Sequence, residues 1–230
     1  MSVSNVSAAS TVTYTQANQI ASICFQGYNG GTRGPISITQ GVYQDGRSTK
    51  IVYLVALSGT ELVTNQSTGL LTDLKVGFNQ NNPYLQNVVR IISQNVPRNS
   101  NLILTGHSLG GMVAQQVAGS YTIKSNYNVM NTVTFGSPLI SEGSRAGVVR
   151  RLGDTSDVVP YLSATGNLVW QVAGLNREDG GYGANALAAH NESYLRGDVW
   201  GAYDITGTKY GGARLTLYQG TQRFFKSPTK

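Results

Sequence analysis

The sequence predicts an α/β protein with a mainly parallel central sheet and helices on both faces. Three observations carry this. Ile51 to Leu57 is apolar almost without a break, as strands covered on both faces are. From there to Phe135, strand and helix patterns alternate, the order of a sheet wound with helices. Charged residues are only 12% of the chain, about half the usual share, which excludes coiled coils and charged helical arrays and leaves a neutral, turn-rich surface.

The elements follow in order. Gln16 to Phe25 sets Ala17, Ile20, Ala21, Cys24 and Phe25 at helical spacing, and Gly27, Gly30, Gly31 and Gly34 end the helix. Ile36 to Tyr43 reads as a strand, turned through Asp45-Gly46 into a second strand, Lys50 to Leu57. Leu85 to Val96 is an amphipathic helix stopped by Pro97. Asn101 to Thr105 is a short buried strand, Leu109 to Tyr121 a helix of small and apolar residues, and Met130 to Phe135 another strand. Gly147 to Leu152 and Leu168 to Val172 read as further strands, Ala184 to Arg196 as a short helix, and Leu215 to Phe225 as a strand or extended edge. No stretch resembles a linker, so residues 1–230 are expected to form a single domain.

Composition narrows the partners. No run of about 18 apolar residues exists, so no membrane span is expected. The one cysteine, Cys24, excludes an internal disulfide framework, and its apolar neighbours predict a buried, inert thiol. With only His107 and His190, a zinc site lacks ligands. No phosphate loop occurs, and the glycines at 27–34 do not follow a strand, so they make a poor dinucleotide fingerprint. The net charge of +6 is scattered until the end of the chain, where Lys209, Arg214, Arg223, Lys226 and Lys230 lie among Tyr210, Tyr218, Phe224 and Phe225. This tail reads either as a solvated edge or as a contact for an anionic lipid surface; no nucleic-acid motif accompanies it. Met1 to Ser10 has neither a charged start nor an apolar core, so it does not read as a secretory signal, while the low-charge, Asn-rich composition leans towards action outside the cell.

The sharpest chemical feature is Gly106-His107-Ser108-Leu109-Gly110-Gly111, which fits the G-x-S-x-G nucleophile elbow. A buried strand runs into it and a helix starts out of it, the context such an elbow needs to lift the Ser108 hydroxyl above the sheet. The alternative is a glycine-rich turn with a serine cap. A serine nucleophile needs a base. His107 sits on the same tight turn and is expected to point away, which leaves His190. A carboxylate must then hold the histidine's tautomer. In the chain order Ser, acid, His, the acids between 108 and 190 are Glu142, Asp154, Asp157, Glu178 and Asp179. Asp157, followed by Val158-Val159-Pro160, is favoured, with Asp154 as the alternative. For the oxyanion hole, the residue after the nucleophile supplies one N–H, from Leu109, and the loop Ser58-Gly59-Thr60 after the early strand supplies the second, from Thr60.

These segments resemble the class 3 lipases, the fungal-lipase-like α/β hydrolases. Leu57-Ser58-Gly59-Thr60 is similar to that family's oxyanion signature, and Thr72-Asp73-Leu74 to the Asp-Leu that follows it. Gly106 to Gly111 matches its GHSLGG, Phe135-Gly136-Ser137-Pro138 its strand end, Asp157-Val158-Val159-Pro160 its acid segment, and Ala189-His190 with Tyr194 its histidine segment. The resemblance implies an α/β-hydrolase fold and carboxylic-ester hydrolysis on lipids through an acyl-enzyme, without cofactor. Ser58 departs from the arginine often found in the family, and Glu61 to Thr72 is short for a lid. The triad alone leaves open a short-chain esterase or acyltransferase on a non-lipid substrate, and a non-catalytic binding protein of the same fold.

Overall fold

The computed structural model describes residues 10–28, 32–59, 82–140, 143–162 and 174–227. The apolar run of the early strand, β3 (Ser48–Leu57), is explained by its position. Alternate side chains go to opposite faces. Val55 and Leu57 join one core, with Val88 and Ile92 of a helix at Pro83–Asn95 and Met112 and Val113 of a helix at Leu109–Gly119. Val52, Leu54 and Ala56 join a second core with Ile20 and Cys24 of a helix at Ala17–Phe25, and with Tyr194 and Trp200. A strand feeding two cores has no polar face, which is why it shows no alternation. These helices, in chain order, are α1 (Ala17–Phe25), α2 (Pro83–Asn95) and α3 (Leu109–Gly119); α4 (Tyr121–Asn126), α5 (Ala186–Glu192) and α6 (Gly197–Trp200) follow.

The other strands are β1 (Thr11–Tyr14), β2 (Ile36–Asp45), β4 (Asn101–His107), β5 (Asn128–Phe135), β6 (Val148–Asp154), β7 (Leu175–Glu178), β8 (Arg214–Tyr218) and β9 (Arg223–Phe225). The order across the sheet is β1-β8-β2-β3-β4-β5-β6-β7, with β9 also on β2. From β3 to β7 every pairing is parallel. On the other side every pairing is antiparallel. The expectation of a mainly parallel sheet holds, with the correction that the strands beyond β3 pair antiparallel, starting at the hairpin that the sequence predicts after Asp45. The reason is the tight turn after Asp45: Asp45 pairs with Ser48, and a connection that short joins only antiparallel strands. The tail is corrected too. A 3-10 turn at Gln219–Thr221 breaks it into β8 and β9, and β1 covers β8 so that it is not an edge.

Further differences have local causes. The helix expected over 109–121 stops at Ser120, whose extended backbone (ψ 131°) separates α3 from α4. The helix expected over 184–196 is α5 followed by a 3-10 turn at Ser193–Leu195. β1 and β7 were not anticipated: TVTY is mostly exposed and LNRE polar, so neither carries an apolar signature. The strand expected at Leu168 to Val172 lies outside the described residues. Cys24 is buried against Thr105 as expected, and burial pushes its thiol up to about 12. No helix among the described residues is long and apolar enough to cross a membrane.

α3 is buried from Leu109 through Ala118, so its polar residues need partners. Gln115 donates to the carbonyl of Pro138 at 2.8 Å and accepts from Arg145 at 2.7 Å. Gln116 accepts from Asn82 at 3.1 Å, and Asn82 in turn caps α2 by accepting from the Leu85 amide at 2.7 Å. The helix that follows the elbow is thereby tied to the segment after β5 and to the start of α2.

Candidate active site

Ser108 stands between the last residue of β4 and the first of α3, at φ 56° and ψ −125°. A non-glycine residue rarely takes a positive φ, and strain of order 1–3 kcal/mol persists only where the surroundings enforce it. Here they do. The Ser108 amide donates to the Phe135 carbonyl of β5 at 3.0 Å. The glycines explain themselves by crowding: a Cβ on Gly106 would lie 2.3 Å from the Gly110 carbonyl oxygen, one on Gly110 2.4 Å from that of Leu57, and one on Gly111 2.5 Å from Cβ of Ser137. The elbow is thus packed on β3 and on the segment after β5.

His190 lies in α5, whose start is capped by Asn185 accepting from the Ala188 amide at 3.1 Å. The ring is buried, and Nδ1 donates to Asp157 Oδ2 at 2.8 Å. Asp157 is fully buried; its Oδ1 accepts from the Val159 amide at 2.9 Å, which fixes the carboxylate's rotamer. Nε2 of His190 is buried with no hydrogen-bond partner among the described residues. The structure therefore joins Asp157 to His190 and leaves the other ring nitrogen unbonded, including to Ser108. Ser108 and His190 lie at one corner all the same. Ser108 is bonded to Phe135, and the next residue, Gly136 (φ 55°), is so close to the pair that a Cβ there would be 2.8 Å from Asp157 Oδ2 and 3.1 Å from His190 Nδ1.

Both candidate acids are buried, and their partners separate them. Asp154, the last residue of β6, accepts from the Ser156 amide, the Gly180 amide and the Ser193 hydroxyl. Its carboxylate ties three loop segments together and does not reach His190. Asp157, three residues on, does. Sequence reasoning did not assign Tyr194 a contact. Its hydroxyl donates to Asp157 Oδ2 at 2.6 Å and accepts from the Asp154 amide at 3.1 Å. Burial, then the Asp157 charge, hold its phenol well above the ordinary value, so it remains a donor.

Of the two residues expected to donate to an oxyanion, Leu109 is the first residue of α3, so its amide has no intrahelical acceptor. Thr60 lies outside the described residues; the turn before it does not. Ser58 donates through its amide and its hydroxyl to the Pro35 carbonyl, at 2.9 and 3.1 Å, and its own carbonyl accepts from Tyr84 at 2.8 Å. Serine fits here because this corner is closed: a Cβ on Gly27 would already collide with the Ser58 hydroxyl.

The basic residues of the tail do not form one patch. Lys209 is paired with Glu178 at 2.6 Å. Arg214 is opposite Gln44 and Arg223 opposite Ile38, six residues apart along β2 and so roughly 20 Å. Arg223 and Lys226 are exposed, and Arg33 lies over the Phe224 ring at 5.5 Å. These last sit at the Ser108 end of the sheet: Phe225, Ile36, Leu57 and Gly106 are register partners across four strands, about 14 Å end to end. Among the described residues, no three His, Cys, Asp or Glu side chains gather as metal ligands.

Among known proteins, a family model described as lipase (class 3) matches residues 49–165, from the start of β3 past Asp157. A search of curated proteins found no match.

Proposed function

The chain belongs to the class 3 lipases, a family of lipase-type ester hydrolases with an α/β-hydrolase fold, and on that premise we propose that it cleaves lipid esters with Ser108 as nucleophile, His190 as base and Asp157 as the orienting acid. The observation that carries this is the state of His190: Nδ1 is bonded to a buried carboxylate at 2.8 Å, and Nε2 is buried and unpartnered among the described residues. A base held in one tautomer, with its free lone pair directed away from the acid, is what proton abstraction requires.

In the proposed reaction, Ser108 Oγ attacks the ester carbonyl carbon as His190 Nε2 takes the hydroxyl proton, a contact that tightens when substrate is bound. Asp157 stabilises the resulting imidazolium through Nδ1–H. The amides of Leu109 and Thr60 receive the negative charge that forms on the carbonyl oxygen. Collapse breaks the ester C–O bond, and His190 returns the proton to the leaving alcohol. Water then attacks the acyl-Ser108 ester, His190 takes its proton and passes it to Ser108, and the carboxylic acid departs. No cofactor enters these steps. The two cores share one sheet, which supports reading residues 1–230 as a single catalytic domain, and the cations around Phe224 support a contact with an anionic lipid surface.

The test is hydrolysis of p-nitrophenyl esters from C2 to C16, wild type beside Ser108→Ala. The variant is expected to lose about 10⁴-fold or more, with the wild-type profile peaking at C8 or longer. A peak at C2–C4 would reassign the enzyme to short-chain esters. Absence of cleavage together with absence of fluorophosphonate labelling at Ser108 would make this a binding protein.

A further inference from the structure

The proposed chemistry uses one of two buried histidines. The other, His107, is 2% exposed, and both of its ring nitrogens are bonded: Nδ1 to the Tyr28 hydroxyl at 2.7 Å and Nε2 to the main-chain carbonyl of His190 at 2.8 Å. The Tyr28 hydroxyl is also 2.7 Å from the Gly59 amide. We infer that Tyr28 and His107 are positioning residues, which hold the base His190 and the turn at Gly59 in one fixed relation through a directed hydrogen-bond chain. The inference rests on the reading of Ser108 and His190 given above.

The direction of the chain follows from its ends. The Gly59 amide only donates, and the His190 carbonyl only accepts. His107 must therefore carry its proton on Nε2. A second proton on Nδ1 would make a buried cation whose ring centroid is 4.6 Å from that of His190, opposed each time His190 takes up the serine proton. Burial, then the neighbouring His190, hold His107 well below the ordinary histidine value, so the ring is neutral and Nδ1 offers a lone pair. Tyr28 donates to that lone pair and accepts from Gly59. The chain runs Gly59 to Tyr28 to His107 to His190, with one allowed polarity.

Both ends bear on the nucleophile. A Cβ on Gly59 would lie 3.1 Å from Cβ of Ser108, so this amide sits against the elbow. At the other end, the His190 carbonyl belongs to the last turn of α5, where carbonyls lack an intrahelical partner; His107 supplies one. Phe25 of α1, 4.4 Å from the His107 ring, buttresses the contact. The residue that precedes the nucleophile thus sets where the base stands relative to the turn leading into Thr60. The two histidines are required to hold opposite tautomers, Nδ1–H at His190 and Nε2–H at His107.

Two measurements test this. Side-chain ¹⁵N NMR of the wild-type protein resolves two histidines, assigned by comparison with His107→Gln; the expected result is opposite neutral tautomers, and an Nδ1–H proton on His107 overturns the chain. Kinetics with the best p-nitrophenyl ester read the positioning. Tyr28→Phe and His107→Gln are each expected to lower kcat by about tenfold or more, since small misplacements of reacting groups cost up to about a hundredfold, with KM within about twofold. The double variant is expected to be no slower than the slower single one, because both remove one shared path. Losses that multiply, or that fall on KM alone, overturn the inference. A wild type that neither cleaves esters nor labels with fluorophosphonate would defeat the hydrolase reading instead, and the tautomers would then decide the chain by themselves.

Discussion

Tyr194 donates its hydroxyl to Asp157 Oδ2 at 2.6 Å, on the same carboxylate oxygen that receives His190 Nδ1–H at 2.8 Å. The acid thus faces two donors at one oxygen, and the tyrosine's own oxygen is satisfied by the Asp154 amide. Tyr194→Phe removes a charge-assisted hydrogen bond and leaves that buried amide unpaired, each costing about 1–3 kcal/mol. The expected outcome is a lower melting temperature and a kcat reduced by about tenfold, measured by calorimetry and ester hydrolysis. Unchanged kcat would show that His190 alone orients the acid.

Asp154 and Asp157 are both buried, yet only one faces His190. Asp157→Asn is expected to lower kcat by about 10³–10⁴-fold while the protein stays folded, because an amide cannot hold the imidazolium. Asp154→Asn breaks the contacts to Ser193 and Gly180, so its cost falls on stability, with kcat within about tenfold of wild type below its melting point. The reverse pattern would exchange their roles.

Gly136 has φ 55° and no room for a methyl group beside Asp157, Tyr194 and His190. Gly46 has nearly the same φ, 56°, with nothing within 4 Å of a Cβ. Gly46→Ala is expected to cost about 1–2 kcal/mol of backbone strain and no activity. Gly136→Ala carries the same strain and displaces the acid and the base, so kcat is expected to fall by about a hundredfold or more. Equal activities in the two variants would contradict the crowding argument.

His107 faces Phe25, Tyr28, Tyr194 and His190, and its folded-state pKa lies well below 6.5, chiefly through burial. Unfolded, the ring takes up a proton as pH falls through 6.5; folded, it does not. The unfolded state then binds the extra proton, so stability rises with pH and is lost as pH drops below that value, by about 1.4 kcal/mol per pH unit until the folded ring titrates. Urea unfolding from pH 7 to 5 should show a shallower slope in His107→Gln than in wild type, by about one proton. Parallel slopes would mean that His107 is charged in the fold.

The cations at the Ser108 end of the sheet make a lipid-surface contact measurable. Neutralising Arg223, Lys226 and Lys230 together to Gln is expected to weaken binding to anionic vesicles by about tenfold or more, at about 1 kcal/mol per well-placed cation, with little effect on neutral vesicles. Sedimentation with the two vesicle types reads the difference; identical binding by wild type and variant would count against the contact.

How much of this was legible in the chain follows from the range of each interaction. The elbow could be read because its strand, turn and helix occupy consecutive residues, Leu102 to Thr105, the glycines around Ser108 and the small residues after it, although the crowding that requires glycine at 110 and 111 comes from Leu57 and Ser137. His190 is singled out in the sequence by elimination, since there are two histidines and one is adjacent to Ser108, and its contact with a buried carboxylate appears only in the fold. The parallel strands β3 to β5 announced themselves because burial on both faces demands apolar residues, whereas β1 and β7, held at the sheet edges by backbone bonds, place no such demand on TVTY and LNRE.

Tertiary structure decided the rest. Asp154 ends β6 and Asp157 stands three residues on; the apolar residues after Asp157 favour it in the sequence, but only the packing of α5 and the turn after it brings His190 to Asp157 and Ser193 to Asp154. Which way the His107 ring is committed depended on Tyr28 and the His190 carbonyl, 79 and 83 residues away. A sequence by itself determines local backbone conformation and which side chains must be buried. Which buried polar groups meet is set by how distant segments pack, because a hydrogen bond is specific to distances near 3 Å and chain order does not report them.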